Sequence, residues 1–357
     1  MSVVKKIIAW YKKNARDLPW RNTQNPYHIW LSEIILQQTR VEQGLPYYNK
    51  FIEKFPNVEV LAEAAEDEVL KMWQGLGYYS RARNMHAAAK QIIQDFHGIF
   101  PDNYQDIKNL KGVGGYTAAA IASFAYNLPH AVVDGNVLRV ISRMFKVTDP
   151  VDSTKGRNKV EQKVSELLDK LQPGQFNQAI MEFGAMVCKP NNPLCHTCII
   201  QQKCAAYKCN MVTHLPVKKK AAEKKIRHFN YLVILWKDNN HLFTCLEKRT
   251  GNDVWKNLYQ FPLIESKSML QKSRLISRKE WKNIFENTFI QSVKLGAIKK
   301  HILTHQIIHA RFYYVAVSKK ENAPDNTIEI PVKKIKDYAV PRLIDNFINE
   351  SSCLSSA

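Results

Sequence analysis

Four cysteines stand close together in the stretch CKPNNPLCHTCIIQQKC. They are Cys188, Cys195, Cys198 and Cys204, with the spacing C-x6-C-x2-C-x5-C. Structural zinc sites more often use two separated C-x2-C pairs or include histidine, whereas four thiolates in one loop match the ligand set of a cubane iron–sulfur cluster. His196 lies inside the loop, but the thiolates already supply four ligands. The spacing favours iron–sulfur, and zinc or unligated thiols remain as alternatives.

Glu33 is a candidate for acid chemistry because its neighbours at helical spacing are mostly apolar. Ile29, Trp30 and Leu36 surround it in YHIWLSEIILQQTR. A desolvated carboxyl there would have a raised pKa and could remain protonated. The alternative is that Glu33 lies on a polar stripe of the helix with Ser32 and Gln37.

Asp134 stands directly before the predicted helix DGNVLRVISR. As an N-cap it would accept hydrogen bonds from free amides and stay ionised, which is a structural role. An ionised carboxylate beside a DNA site could also stabilise a sugar cation, and Asn136 is near enough to contact the same sugar or phosphate. One protonated and one ionised carboxyl form the usual pair for cleaving a bond at an anomeric carbon.

A glycine-rich turn, LKGVGGYT, precedes the strong helix former TAAAIASFA. Gly112 and Gly114 lack side chains, so another backbone could pass close to their amides. The N-terminus of the following helix offers free N–H groups and a positive dipole end, which together suit a phosphate. An ordinary helix–turn–helix corner is the alternative. In a basic chain, residues 104–126 are better interpreted as a helix-hairpin-helix that contacts the DNA backbone without reading sequence.

Helices are predicted to position these residues. Apolar residues recur at three-to-four spacing through most of the first part of the chain, with glycine and proline between segments. One predicted helix leads directly into Cys188. The segments with the clearest helical period are 3–14, 27–39, 66–77, 81–96 and 176–187.

The character of the chain changes after the cysteine loop. A charged linker without aromatic residues follows, and then short alternating or apolar runs that predict strands. We therefore expect a mainly α domain over 1–208 that includes the cysteine loop 188–204. The remaining divisions are a basic linker over 209–227, an α+β domain over 228–349 and a disordered tail over 350–357.

Composition favours a nucleic-acid partner. The 357 residues include 52 Lys and Arg against 32 Asp and Glu, a formal charge of +20. Such an excess predicts salt-dependent attraction to polyanions, with nucleic acid first and a membrane surface second. Neither a signal peptide nor an apolar run long enough to span a bilayer is evident. We expect a soluble intracellular monomer, by default in a bacterial cytoplasm. The number of cysteines is odd, at 7, and four of them are crowded together. In a reducing interior this pattern favours metal ligation over disulfides.

Six motifs occur together in a characteristic order: LPWR (18–21), WLSEIILQQTRV (30–41), GLGYYSRARN (75–84), LKGVGGYTAAAI (110–121), VDGNV (133–137) and the cysteine loop. With this set the chain resembles the MutY family of adenine DNA glycosylases, within the endonuclease III, or helix-hairpin-helix, superfamily. The resemblance is dense over residues 1–208, and residues 228–349 resemble a diverged MutT-like, Nudix-related domain without its acidic signature. No pyrophosphatase activity is therefore expected there.

The resemblance implies a base-excision-repair enzyme with a [4Fe-4S] cluster on Cys188, Cys195, Cys198 and Cys204. Its substrate would be double-stranded DNA in which adenine is mispaired with 8-oxoguanine or with guanine. The adenine would be flipped out of the stack before the N-glycosidic bond is hydrolysed.

The resemblance also implies roles for individual residues. Glu33 corresponds to the general acid that protonates adenine N7. Asp134 corresponds to the carboxylate that stabilises the oxocarbenium sugar or bonds to it transiently, with support from Asn136 and Tyr116. Trp20, Arg21, Gln178 and Met181 would line the adenine pocket, Gln38 and Tyr78 would wedge into the duplex, and Gly112 and Gly114 would contact its backbone.

Tyr116 decides the subclass. In bifunctional relatives the position after G-V-G-x holds a lysine, whose amine forms a Schiff base with the sugar before strand cleavage. A phenol stands here instead. We therefore expect a monofunctional glycosylase that uses water and leaves an abasic site.

The second domain departs from the family pattern at two places. The family's F-S-H loop, which contacts 8-oxoguanine, is here Leu303, Thr304 and His305. The usual W-G-G-L-Y-x-F-P segment is WKNLYQFP, with Lys256 and Asn257 in place of the glycines. Lesion recognition by Thr304 and His305 is expected to persist with altered contact geometry.

Two alternatives stay open at the level of sequence. An endonuclease III-like glycosylase and lyase would share the fold and the cluster, but Tyr116 and the second domain argue against it. A non-catalytic iron–sulfur DNA-binding protein would keep the basic surface and the hairpin. It would have no need of Glu33, Asp134 and Asn136 in these motifs.

Overall fold

The computed structural model describes residues 2–219, 223–286, 288–318 and 326–355. The chain forms two compact units. The first unit comprises Met1–Glu63 and Asn84–Ala221, and the second comprises Ala64–Arg83 and Ala222–Ala357. Within the described ranges, no helix is both long enough and apolar enough to cross a membrane.

The chain is helical up to the cysteine loop, as the three-to-four spacing predicted. Short 3₁₀ turns at Pro19–Arg21, Cys195–Thr197 and Gln201–Lys203 join some of the helices. The helices in chain order are α1 (Val3–Asn14), α2 (Pro26–Leu36), α3 (Val41–Lys54), α4 (Val58–Glu63), α5 (Glu66–Met72), α6 (Ser80–Phe96), α7 (Tyr104–Asn109), α8 (Gly115–Tyr126), α9 (Gly135–Met144), α10 (Thr154–Leu167), α11 (Pro173–Met186) and α12 (Ala205–Lys208).

The core of the first unit lies where α1 and α9 pack on α11. Val137, Val140 and Ile141 of α9 recur at three-to-four spacing and are almost fully buried. They pack with Phe176 and Phe183 of α11. Because one face of α9 is apolar, its N-terminal residues are held in a fixed position against α11.

The glycine-rich turn between α7 and α8 has the conformation that its sequence predicts. Gly112 has φ +76°, a value that L side chains rarely adopt, and a Cβ there would lie 2.5 Å from the Cβ of Asn84. Gly114 is the N-cap of α8, and no atom lies within 4 Å of a Cβ added to it. Glycine is therefore required at 112, while Gly114 leaves the N-terminus of α8 uncovered.

The second unit contains a mixed sheet. The strand order is β3-β2-β1-β6-β5, with β4 paired to β1 and β7 paired to β2. The β1–β6 pair is parallel, and the β5–β6 pair is an antiparallel hairpin that ends at residues 303–305. The strands are β1 (Lys225–Asp238), β2 (His241–Lys248), β3 (Tyr259–Gln260), β4 (Leu263–Ser266), β5 (Ile290–Ile302), β6 (Gln306–Val317) and β7 (Thr327–Pro331).

Helices complete the second unit. Trp281 and Phe285 belong to the core on one face of the sheet with Leu232 and Tyr313. Phe312 of β6 stacks on Phe347, with ring centroids 3.9 Å apart. Besides α5, which belongs to this unit, its α-helices are α13 (Lys272–Ile276), α14 (Lys279–Ile284), α15 (Arg342–Glu350) and α16 (Ser352–Ser355).

The tail differs from the prediction of disorder. Residues Ser352–Ser355 form the short helix α16, and Leu354 is buried. The buried Leu354 side chain therefore anchors a segment for which the serine-rich composition predicted no ordered structure. Residues 356–357, like residues 220–222 of the predicted linker, lie outside the described residues.

Candidate active site

A cavity of about 520 Å³ opens in the first unit. It is bounded by side chains from α2, α8, α9 and α11 and from the segment around the LPWR motif. Several motifs that are far apart in sequence therefore supply one site. The predicted residues that line it are Trp20, Arg21, Glu33, Gln38, Tyr116, Asp134, Asn136, Gln178 and Met181.

Glu33 lies in the last turn of α2 and is buried, with only 8% of its surface exposed. Ser32 and Gln37 line the same cavity, so the polar stripe of α2 faces the cavity rather than open solvent. Tyr116 donates a hydrogen bond from Oη to Glu33 Oε2 at 2.7 Å. Burial raises the pKa of Glu33 to about 7, although the Tyr116 hydrogen bond and the Arg21 charge act in the opposite direction. Glu33 can therefore hold a proton near neutral pH.

Asp134 is the N-cap of α9, as the sequence predicted. Its Oδ1 accepts from the Val137 N–H at 2.7 Å, and its Oδ2 accepts from Asn136 Nδ2 at 2.7 Å. Burial raises the pKa of Asp134, and these hydrogen bonds act against that rise. The donors around Asp134 therefore favour its charged form, whereas Glu33 receives only the Tyr116 hydrogen bond.

Asn136 is held by Arg139 and by the close approach of α11. Arg139 Nη2 donates to Asn136 Oδ1 at 2.9 Å and to the Gly184 carbonyl at 2.8 Å. A Cβ added to Gly184 would lie 2.7 Å from the Cβ of Asn136, so glycine is needed at this crossing. Arg139 Nε also donates to the Cys188 carbonyl at 2.7 Å, which ties α9 to the cysteine loop.

One wall of the cavity carries a buried carboxylate, Glu182, that no sequence motif marked as a site residue. Glu182 Oε2 accepts from Nη2 of both Arg16 and Arg21 at 2.7 Å. Although burial raises the pKa of Glu182, the hydrogen bonds from these arginines outweigh that effect and lower the pKa to about 2. Glu182 is one helical turn beyond Gln178 on α11, a spacing that could have identified it. No local pattern marked Arg16.

The two predicted wedge residues both have left-handed backbone conformations. The φ angle is +55° at Gln38 and +49° at Tyr78. Both side chains are exposed, and Tyr78 keeps 47% of its surface. Backbone strain of this kind in non-glycine residues is concentrated at ligand-binding sites.

Tyr78 contacts the predicted lesion-recognition turn within the second unit. The Tyr78 and Thr304 hydroxyl oxygens lie 2.7 Å apart, and Thr304 and His305 are both exposed. Lys224 Nζ donates to the Leu303 carbonyl at 2.9 Å. The Lys225 N–H, at the start of β1, donates to the His305 carbonyl at 3.0 Å. The turn is therefore fixed by residues 224–225, which the sequence predicted to belong to the linker.

The WKNLY segment adopts the conformation that glycines would favour. Asn257 has φ +65° and Trp255 has φ +64°. Asparagine tolerates this region better than most residues, because its short polar side chain can bond locally. The replacement of glycine by Asn257 therefore keeps the left-handed turn.

The four clustered cysteines line a second cavity in the first unit. Arg143 Nη1 lies 3.3 Å from Cys188 Sγ and 2.8 Å from the Lys189 carbonyl. Among the described residues, no three His, Cys, Asp or Glu side chains are arranged to hold a single metal ion. Four thiols around one cavity, with a buried guanidinium beside them, fit a larger anionic cluster.

Family models match both parts of the chain. The model described as HhH-GPD superfamily base excision DNA repair protein matches residues 31–170. A NUDIX domain model matches residues 230–350. The predicted fold class, a helical glycosylase core followed by an α+β Nudix-related domain, is thereby confirmed.

A solved structure agrees with the helical part. A thermostable thymine-DNA glycosylase shares 30% identity at a TM-score of 0.54, covering 58% of this chain and 95% of that chain. An endonuclease III in a non-covalent DNA complex has 20% identity and a TM-score of 0.51, and therefore shows the fold alone.

Relatives align over nearly the whole chain. The adenine DNA glycosylase of Buchnera aphidicola subsp. Baizongia pistaciae is 36% identical over 323 residues, or 88% of this chain and 86% of the relative. That of Buchnera aphidicola subsp. Schizaphis graminum is 35% identical over 345 residues, or 92% of this chain and 96% of the relative. The mouse adenine DNA glycosylase is 41% identical over 210 residues, or 56% of this chain and 41% of the relative. Near-complete coverage at this identity shows that the chain belongs to the adenine DNA glycosylase family of the HhH-GPD superfamily.

Proposed function

We propose that this enzyme hydrolyses the N-glycosidic bond of adenine that is mispaired with 8-oxoguanine or guanine in duplex DNA. The observation that carries the proposal is the pair of carboxyl groups in one cavity. Glu33 is buried with a pKa raised to about 7, and Asp134 is surrounded by hydrogen-bond donors. A protonated acid and an ionised carboxylate are the groups needed to break a bond at an anomeric carbon.

Glu33 acts as the general acid in this proposal. Tyr116 donates to Oε2, and Oε1 has no hydrogen-bond partner among the described residues, so the proton is available on Oε1. Its transfer to adenine N7 allows the base to depart with the electron pair of the C1′–N9 bond. Burial, followed by the Glu33 and Asp134 charges, raises the pKa of Tyr116 well above its usual value, so the phenol stays neutral.

Asp134 stabilises the sugar cation that the departing base leaves. Its carboxylate is fixed by Val137 and Asn136, and it therefore needs no rearrangement as positive charge develops at C1′. Asn136 is itself held by Arg139. Water then adds to C1′ and leaves an abasic site.

The adenine reaches this cavity by leaving the base stack. Trp20, Arg21, Gln178 and Met181 surround the flipped base in this proposal. Gln38 and Tyr78 enter the duplex beside the lesion, where unstacking costs a few kcal/mol. The uncovered N-terminus of α8, with Gly112 and Gly114, binds the DNA backbone.

Single-turnover release of adenine tests the proposed reaction and its monofunctional course. We expect rapid release from a duplex with adenine opposite 8-oxoguanine, and no release from A:T or from a duplex with cytosine opposite the lesion. The abasic strand should stay intact, because Tyr116 lacks the amine of a Schiff-base lyase. If borohydride trapped a covalent enzyme–DNA complex as efficiently as adenine is released, the enzyme would have lyase chemistry.

Recognition of the mispair is assigned to the turn between β5 and β6. Thr304 and His305 are exposed at its tip, and the Thr304 hydroxyl is 2.7 Å from that of Tyr78. The turn is anchored through the Leu303 carbonyl by Lys224. A hydroxyl and an imidazole held in this way supply donors and acceptors for the edge of 8-oxoguanine.

Changing Thr304 and His305 together to alanine should reduce the preference for 8-oxoguanine over guanine. We expect single-turnover release opposite 8-oxoguanine to slow by about tenfold, as the loss of one or two hydrogen bonds implies. Release opposite guanine should change less. The matched control changes His241 and Thr288, which lie elsewhere in the second unit, to alanine. Wild-type rates opposite 8-oxoguanine in the double variant would refute the assignment.

We further propose that Cys188, Cys195, Cys198 and Cys204 hold a [4Fe-4S] cluster. When bound, the cluster would cross-link the loop and fix its fold without taking part in base release. The loop displays Lys189 and Lys203 at its surface, and α12 directly after it displays Lys208. All three suit contacts with DNA phosphates.

Metal analysis of the purified protein tests the cluster. We expect iron and acid-labile sulfide in equal amounts, and their loss in Cys198→Ser. Cys209→Ser is the matched control, since Cys209 is exposed beside the loop and does not line the cavity. Zinc in place of iron, with no sulfide, would overturn the proposal.

A further inference from the structure

Tyr11 lies in the core beneath the wall of the cavity formed by α11. It belongs to α1, is almost fully buried, and packs in the core cluster with residues of α9 and α11. Its Oη donates a hydrogen bond to Gln178 Oε1 at 2.8 Å. Gln178 itself lines the cavity. A buried hydroxyl therefore controls an amide at the surface of the active site.

The direction of this hydrogen bond follows from the chemistry of the phenol. Burial, assisted by the Glu182 charge and opposed by Arg21, raises the pKa of Tyr11, so its hydroxyl keeps the proton. Among the described residues, Gln178 offers the phenol its hydrogen-bond acceptor. If the amide were rotated, Nε2 would donate to the phenol and the phenol proton would be buried without an acceptor.

The orientation of the Gln178 amide matters because the neighbouring Glu182 carboxylate can accept no further hydrogen bond. Glu182 Oε1 accepts from the Arg16 backbone N–H and Nε, and Oε2 accepts from Nη2 of Arg16 and of Arg21. Both oxygens therefore already accept two hydrogen bonds. Gln178 Nε2, in contrast, is a donor without a partner among the described residues, and Gln178 lines the cavity.

We propose that Tyr11 is a positioning residue. By holding Gln178 Oε1, it orients the amide so that Nε2 donates a hydrogen bond to an acceptor atom of the flipped base. The inference rests on the proposed binding of adenine in this cavity. The ring nitrogens of adenine are acceptors, unlike its exocyclic amine, and the proposal places Gln178 Nε2 against one of them. A rotated amide would set its carbonyl oxygen against a ring nitrogen, and two acceptors repel.

A double-mutant cycle in the full chain tests this inference by single-turnover release of adenine opposite 8-oxoguanine. Tyr11→Phe should slow release by about tenfold, the effect of one lost hydrogen bond. Gln178→Met should slow release at least as much, and adding Tyr11→Phe to it should cause no further loss. The matched control is Tyr27→Phe, which removes a buried hydroxyl bonded to the Phe55 carbonyl outside the cavity. It should keep the wild-type rate.

Gln178→Glu tests the orientation without any change at Tyr11. Whichever carboxylate oxygen Tyr11 binds, the other presents an acceptor to the base, and we expect slower release than in Gln178→Met. The inference would be overturned if Tyr11→Phe slowed release equally in the wild-type and Gln178→Met backgrounds. Release by Gln178→Glu as fast as by Gln178→Met would also overturn it. A wild-type rate in Gln178→Met would also overturn it while leaving the proposed reaction intact. Failure of the wild-type protein to release adenine would instead refute the proposed reaction.

Discussion

Replacing Glu33 with glutamine should slow adenine release by about 10²–10⁴-fold and leave DNA binding unchanged. Glutamine has nearly the same shape, and its carbonyl oxygen can still accept the Tyr116 hydrogen bond. It has no acidic proton to give to adenine N7. The measurement is single-turnover release opposite 8-oxoguanine, with affinity for the same duplex measured in parallel.

Glu247→Gln is the matched control for this substitution. Glu247 lies in the second unit, burial likewise raises its pKa, and it accepts a hydrogen bond from Gln260. The control should release adenine at the wild-type rate, because Glu247 does not line the cavity. Release by Glu33→Gln within a few-fold of the wild-type rate would show that another group protonates the base. Loss of DNA binding together with release would indicate a structural role.

Replacing Asp134 with asparagine should slow release by about 10²–10³-fold, the size expected when a preorganised charge opposite a developing cation is removed. The substitution separates the role of Asp134 as a helix N-cap from its role as a negative charge beside the sugar cation. Asparagine caps a helix as well as aspartate does, so its side-chain oxygen should still accept the N-cap hydrogen bond from the Val137 N–H. The negative charge is lost.

Thermal unfolding distinguishes these roles. We expect the midpoint of Asp134→Asn to stay close to that of the wild-type protein while release is lost. Asp134→Ala removes the cap as well, and should lower stability by about 1 kcal/mol in addition. A wild-type rate in Asp134→Asn would reduce Asp134 to a helix cap.

The fold could be predicted where the sequence pattern is local. Helices such as α1 and α11 follow from apolar residues at three-to-four spacing, and the turn at Gly112 follows from glycines that permit a positive φ. The tail could not be predicted, because the burial of Leu354 depends on distant packing. The start of β1 at Lys225 depends in the same way on pairing with β6, which lies far away in the sequence.

The candidate site could be predicted only as far as its motifs extended. Glu33, Tyr116 and Asp134 each stand in a motif, and the structure brings them to one cavity. Arg16 and Glu182 were missed because their role arises from an ion pair across 166 positions of sequence. Tyr11 was missed for the same reason, since nothing near it in sequence points to Gln178.

The pH dependence of single-turnover adenine release tests most directly whether Glu33 supplies the proton. Burial raises its pKa to about 7, so the protonated and active fraction falls as the pH rises through that value. We predict a rate constant that is level on the acid side, until Asp134 takes up a proton, and that falls by about tenfold per pH unit above the pKa of Glu33. A rate constant that rises through this range, or that does not change, would contradict protonation of the base by Glu33.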